Sequence, residues 1–197
     1  MRITSAQFIK GAVTGSYDID AGIPQVVLYG RSNAGKSTTV NHLTGRNALA
    51  RASHTPGRTK EANIFLINKQ WHLVDMPGYG YAKASKTDIQ RIHRLITWFI
   101  KETNAAHRIN VVIIDSKIGL TDLDREILEN ISERHEPIII LLNKIDRINQ
   151  SDLTKVVRAV QSELGNAIPV VPGASRTGKG MHVLKSFLEK FILGDSM

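Results

Sequence analysis

The chain has 197 residues, with 26 Lys and Arg against 18 Asp and Glu and a formal net charge of +8. That length suits one domain rather than two, and 42% hydrophobic with 22% charged residues excludes wholesale disorder. Cysteine is absent, which removes disulfides, thiolate nucleophiles, iron–sulfur clusters and Cys-ligated zinc together, and the seven His form no H-E-x-x-H pattern. The basic balance points to a polyanionic partner, nucleic acid first, held with salt-sensitive affinity. The longest apolar runs, 111–114 and 138–142, are strand-sized, far below the roughly 20 residues of a spanning helix. Residues 1–10 lack the apolar centre of a signal peptide. The expectation is a cytoplasmic monomer with no membrane contact.

In chain order, residues 25–29 are apolar and read as a strand ending at a Gly-rich turn, from which a helix opens over 36–43. Runs 64–67 and 71–74 flank Asn68-Lys69-Gln70 and predict a hairpin. Over 85–102, Ile89, Ile92, Leu95, Ile96 and Phe99 fall on one helical face. Residues 111–114 and 138–142 are apolar throughout, as parallel strands covered on both faces are. The helix between them spans 121–132. A further helix, 151–164, starts from Ser151 as N-cap and stops before Gly165. A strand at 168–171 and a helix at 180–191 close the chain. This alternation predicts a doubly wound, mostly parallel α/β sheet with helices on both faces and ligands at the carboxyl ends of the strands. The hairpin makes one edge strand antiparallel.

Gly30-Arg31-Ser32-Asn33-Ala34-Gly35-Lys36-Ser37 matches G-x-x-x-x-G-K-[ST] in full, after a predicted strand and before a predicted helix. The glycines let the backbone curl so that successive N–H groups face phosphate oxygens, and the helix N-terminus adds positive potential. Lys36 is assigned to the β- and γ-phosphates. The Ser37 hydroxyl is assigned to Mg²⁺, a hard cation that prefers oxygen.

Asn143-Lys144-Ile145-Asp146 is N-K-x-D directly after a buried strand. Asp146 accepts from guanine N1–H and the exocyclic amine, a pair adenine does not present. Asn143 serves the N7 side of the base and braces the phosphate loop, and the Lys144 stem lies along the ring. Selectivity follows because a polar pocket left unpaired is costly. Gly173-Ala174-Ser175 is the expected third contact, with a backbone N–H near Ala174 donating to guanine O6. Asp75-Met76-Pro77-Gly78 follows a strand. Asp75 stands where a carboxylate holds Mg²⁺ through water, and the Gly78 N–H senses the γ-phosphate. Upstream, Thr55-Pro56-Gly57-Arg58-Thr59 carries two hydroxyl candidates, Thr55 and Thr59, for a metal contact made only with the γ-phosphate present. Ras-type enzymes place a water-orienting Gln after the D-x-x-G glycine. Here that residue is Tyr79, so slow intrinsic hydrolysis is expected.

With GRSNAGKST, TPGRTK, DMPGYGYA, IDSKIGLTDLD and NKID in place, the chain resembles the EngB family of bacterial GTPases, in the Era-like branch of the translation-factor class. The resemblance implies a P-loop G domain over 23–197, with residues 1–22 packing on it. It implies a GTP-binding protein that assists assembly of the large ribosomal subunit and is associated with cell division and septation. It places Mg²⁺ on Ser37 and Thr59. It extends the nucleotide contacts to Gly57, Arg58, Thr59, Lys60 and Glu61, to Asp75, Met76, Pro77 and Gly78, and to Ile145 beside Asn143, Lys144 and Asp146. Lys36, Thr59 and Gly78 are the residues expected to act on the γ-phosphate. Many members carry Thr where this chain has Asn143, and a Ser-rich loop where it has Gly173-Ala174-Ser175. In several Era-like GTPases an Asn at the position of Asn33 helps hold potassium beside the phosphates, so potassium or a ribosomal element is expected to supply the charge that a Gln-less site lacks. Arg46, Arg51, Arg58, Lys60, Lys83, Lys86, Arg91 and Arg94 form the candidate RNA contacts. Two rival readings are an RNA-modification or transport module and a nucleotide-stabilised RNA-binding module with incidental hydrolysis.

Overall fold

The apolar runs become the centre of one sheet. The computed structural model describes residues 2–17, 19, 21–46, 49, 61–82 and 84–194. In chain order the elements are β1 (Ala6–Ala12), β2 (Gln25–Gly30), α1 (Lys36–Thr44), β3 (Ala62–Ile67), β4 (Trp71–Asp75), α2 (Lys86–Glu102), β5 (Arg108–Asp115), α3 (Asp122–Ser132), β6 (Ile138–Asn143), α4 (Gln150–Leu164), β7 (Val170–Pro172) and α5 (Met181–Leu193). The sheet order is β1-β3-β4-β2-β5-β6-β7. Strands β4, β2, β5, β6 and β7 run parallel, whereas β3 is antiparallel to both β1 and β4. The doubly wound, mostly parallel sheet expected from the alternation is therefore present, with its antiparallel strand β3 one place in from the edge.

That edge is one strand wider than the hairpin alone. The sequence pattern does not predict β1, because only Ala6 and Ala12 of its seven residues are buried and a bulge at Ile9 breaks the alternation. Asn68, in the hairpin turn at φ 50°, accepts from the Thr4 and Ser5 N–H groups and donates to the Arg2 carbonyl, tying the incoming chain to the sheet. Successive residues of each central strand feed opposite cores. Val27, Tyr29, Val112, Ile114 and Ile140 pack under α2, α3 and α4. Val26, Leu28, Val111, Ile113 and Ile139 pack under α1 and α5.

The helix boundaries follow local chemistry. Ser85 caps α2 by accepting from the Asp88 N–H at 3.1 Å. α3 opens with a capping box between Thr121 and Asp124. α4 starts earlier than expected: Asn149, not Ser151, is the cap, accepting from the Asp152 N–H at 2.9 Å. Both residue types cap well, and the one whose oxygen reaches the third amide decides the start. Because α1 and α3 leave β2 and β5 on opposite faces, a crevice opens between the carboxyl ends of these neighbours. Among the described residues, no helix is long and apolar enough to cross a membrane.

Candidate nucleotide site

The phosphate loop spans the mouth of that crevice. Gly35 takes φ 106° and ψ 22°, a conformation L side chains rarely adopt, and a Cβ there would fall 2.2 Å from Asn143 Nδ2. Glycine is thus required both for the turn and for contact with the next loop. α1 begins immediately afterwards with no side-chain cap and no acidic residue in its first turn. Its leading N–H groups are left for an anion.

Lys36 is 7% exposed, and its Nζ donates to the Gly30 carbonyl at 2.8 Å and the Arg31 carbonyl at 3.3 Å. Burial lowers its pKa, with the Asp75 carboxylate opposing. Asp75, at the end of β4, is pushed up to about 6 by burial, against the pull of Lys36 and a hydrogen bond from Ser37. Its Oδ1 is buried without a hydrogen-bond partner. A buried, unpaired carboxylate oxygen beside a serine hydroxyl is an oxygen-only donor set, the chemistry Mg²⁺ selects, so these residues fit that ion. No cluster of three or more His, Asp or Glu with metal-holding geometry occurs among the described residues.

The base side is equally built. Asn143 donates through Nδ2 to the Ala34 carbonyl at 2.8 Å and accepts at Oδ1 from the Ser175 N–H at 2.9 Å, joining three loops. Lys144, at φ 66°, donates to the Asn33 carbonyl and to Asp115 Oδ2 at 2.7 Å. Asp146 Oδ2 accepts from Arg176 at 2.6 Å, and that hydrogen bond holds its pKa below the ordinary carboxylate value. The backbone of Ile145 donates to the Gly173 carbonyl at 3.2 Å. In the last loop the Ala174 N–H donates to the Lys179 carbonyl at 2.8 Å. The Ser175 N–H is used by Asn143. The amides of Ala174 and Ser175 thus each hold one acceptor within the protein, and a contact from either to guanine O6 would be a shared one. A cavity of about 520 Å³ lies in the crevice, bordered by Ser32, Asn33, Asp115, Gly119 and Lys144.

The segment after β4 folds onto the phosphate loop. Met76 N–H donates to the Leu28 carbonyl at 3.1 Å, the Ser32 N–H to the Tyr79 carbonyl at 2.7 Å, and Ser32 Oγ to the Gly78 carbonyl at 3.1 Å. Pro77 lies between these anchors. Glu61 places its carboxylate over Gly11 of β1. Gly57, Arg58, Thr59 and Lys60, with Thr55, lie outside the described residues.

Residues 25–144 match the family model described as a 50S ribosome-binding GTPase, and residues 97–193 match that of the elongation factor Tu GTP binding domain. A relative from Chlorobium luteolum, named a probable GTP-binding protein EngB, is 37% identical over 197 residues, covering 100% of this chain and 94% of its own. The chain belongs to the EngB family of GTP-binding proteins. An EngB relative from Bradyrhizobium diazoefficiens is 40% identical over 174 residues, 85% of this chain and 80% of its own. A solved structure of a probable EngB superposes with a TM-score of 0.67 at 26% identity, over 86% of this chain and 99% of that one. Era of Aquifex aeolicus, at 23% identity and a TM-score of 0.67 over 85% of this chain and 56% of its own, shares the fold. As an EngB protein with this G domain, the chain is a GTPase.

Three residues of this EngB site carried no assigned role in the sequence. Asp115 stands inside the IDSKIGLTDLD stretch and anchors the N-K-x-D lysine. Its place directly after a buried strand, at the crevice, was the available signal. Arg176 follows the last loop and pairs with the base-reading carboxylate. Asp124 receives the Tyr79 hydroxyl at 2.7 Å. Burial first, then the Asp124 carboxylate, keeps that phenol protonated far above its ordinary range.

Proposed function

We propose that this EngB protein is a slow, GTP-dependent switch in assembly of the large ribosomal subunit, acting in the cytoplasm as a monomeric G domain of residues 23–197 to whose sheet the N-terminal segment adds strand β1. The observation that carries the reading is the match of the β2-to-Lys144 region to a family described as 50S ribosome-binding, on a chain whose net charge is +8. A role in cell division and septation follows if ribosome supply limits growth. Ser37 and Thr59 would hold Mg²⁺, with Asp75 acting through water. The ion would neutralise charge on the β- and γ-phosphate oxygens. Lys36 and the first amides of α1 hold the phosphates, and the Gly78 N–H reads the γ-phosphate while water attacks in line.

Co-sedimentation with large ribosomal subunits tests this. Binding is expected with a non-hydrolysable GTP analogue, to weaken with GDP, and to fall steeply with salt. Lys86 is exposed at the start of α2. Lys83→Glu with Lys86→Glu is expected to weaken binding further. Equal binding with both nucleotides, flat in salt, rejects the switch on RNA phosphate.

The absence of a catalytic Gln favours one rival, a nucleotide-stabilised RNA-binding module with incidental hydrolysis. We assign the missing charge to potassium held near Asn33. Asn33 sits at φ 67° with its side chain exposed and its carbonyl held by Lys144. Because asparagine and glycine both tolerate that conformation, Asn33→Gly removes the side chain without straining the turn. Turnover is expected to be faster in potassium than in sodium at equal ionic strength, with the difference lost in Asn33→Gly and kept in Tyr79→Phe. Equal wild-type rates in both salts reject potassium.

A further inference from the structure

Tyr79 occupies the position of a catalytic glutamine, yet its ring is only 6% exposed and its hydroxyl points into the protein, onto Asp124. Asp124 is 1% exposed. Its other oxygen, Oδ2, accepts from the Thr121 N–H at 2.9 Å and the Thr121 hydroxyl at 2.6 Å. Both carboxylate oxygens are therefore paired, and the anchor is fixed at the start of α3, whose Ile127, Leu128 and Ile131 are in the core.

On its other side Tyr79 belongs to the phosphate loop. Its carbonyl accepts from Ser32, and it forms a parallel bridge with Arg31. One residue earlier, Gly78 has no spare room. A Cβ there would lie 3.0 Å from Lys36 Nζ, from Ser32 Cα and from Ser32 Oγ. The backbone that is to meet the γ-phosphate thus rests on the phosphate-binding lysine, and the next residue is pinned to a buried carboxylate on another helix.

We propose that Asp124, acting through Tyr79, is a positioning residue for γ-phosphate recognition: the buried Tyr79–Asp124 bond fixes the pivot from which the Gly78 N–H is presented to the phosphate. A γ-phosphate entering between Lys36 and Gly78 has to part Ser32 Oγ from the Gly78 carbonyl. With Tyr79 pinned, the segment swings about that residue and the amide arrives in one place. With the pin removed, the segment slides and the amide is presented in many. GDP makes no demand on Gly78, so its binding is indifferent to the pin. The proposal rests on the reading of Gly78 as the γ-phosphate contact.

The test uses Tyr79→Phe, Asp124→Asn and the double variant of the full chain. Each is titrated with methylanthraniloyl-GDP and with the methylanthraniloyl β,γ-imido analogue of GTP, and single-turnover hydrolysis is measured. A hydrogen bond to a charged group carries enough energy for about a tenfold effect. The expected result is GDP affinity within about twofold of wild type, with analogue affinity and turnover each reduced about tenfold. The double variant should be no worse than the worse single one in analogue affinity, because both substitutions act on the Tyr79–Asp124 contact, whereas any loss of the Thr121 bonds in Asp124→Asn falls on melting temperature. Phenylalanine leaves Asp124 Oδ1 buried without a partner, although Thr121 still holds Oδ2, so Tyr79→Phe is the variant at risk of misfolding. The double variant, which leaves no unpaired charge there, keeps the test decisive. Lowered melting temperatures with both affinities and turnover unchanged would make the bond purely structural and overturn the proposal, as would an equal loss for GDP. Gly78→Ala separates the two layers. It is expected to lose the preference for the analogue. If it does not, the Gly78 reading and the proposal fall together; if it does while the pin variants act like wild type, the pin alone is rejected.

Discussion

Lys36→Ala is expected to lower GDP and GTP affinity about 10–100-fold and to abolish measurable turnover. Among the described residues the ammonium is the only buried side-chain cation bonded to phosphate-loop carbonyls, and a charge-assisted hydrogen bond contributes about 1.5–3 kcal/mol. Hydrolysis suffers more than binding, because charge grows on the γ-phosphate oxygens in the transition state. Ser37→Ala separates metal from phosphate. Its effect on GDP affinity is expected to be small without Mg²⁺ and large with it. Isothermal titration with and without Mg²⁺, and single-turnover hydrolysis, check both. Loss of Lys36 also removes the charge that opposes the burial of Asp75. The Asp75 carboxyl of Lys36→Ala should therefore titrate above its value of about 6 in the wild type, a shift visible by NMR even where the nucleotide no longer binds. Unchanged affinity and turnover in both variants would remove this loop from the nucleotide site.

Asp146→Asn is expected to cost at least about 100-fold in GTP affinity and to move preference to xanthosine nucleotides. Two bonds from guanine to a carboxylate amount to roughly 3–6 kcal/mol. An amide in place of one oxygen meets the guanine amine donor to donor. Xanthine carries an oxygen there and accepts from the same amide. The substitution also releases Arg176, which bonds Asp146 Oδ2 at 2.6 Å. Arg176 is 68% exposed in its side chain, so the pair itself is worth under about 1 kcal/mol, and the base effect dominates. Competition between GTP and XTP against a fluorescent guanine nucleotide measures the switch. A variant that still prefers GTP and ignores XTP disproves the pocket.

The features legible in the sequence are those whose chemistry needs neighbouring residues. Gly35, Lys36 and Ser37 must be consecutive to place a turn, a cation and a hydroxyl at one helix start, and Asn143 to Asp146 must share one strand end. The Tyr79–Asp124 bond spans 45 positions, and neither residue type announces it: a tyrosine near a glycine reads as a surface turn. β1 was illegible for another reason. With two buried residues and a bulge it carries little hydrophobic pattern, and its place comes from pairing with β3 and from the Asn68 side chain. The register of the contact expected near Ala174 is not legible, because small residues after a strand give none. Only the fold shows that the Ala174 amide is committed to Lys179.

The bare start of α1 has a consequence for how much of this protein a cell retains. A helix start without a side-chain cap, a buried lysine bonded to carbonyls and a buried carboxylate oxygen without a hydrogen-bond partner are all costs the fold bears. A nucleotide relieves them together, and a ligand at 1,000 times its dissociation constant adds about 4.1 kcal/mol to the folded state. Proteases act on the unfolded fraction, which shrinks about 1,000-fold under that load. The lifetime of the chain is therefore expected to rise with the supply of guanine nucleotide, which limited proteolysis of the full chain at increasing GDP checks.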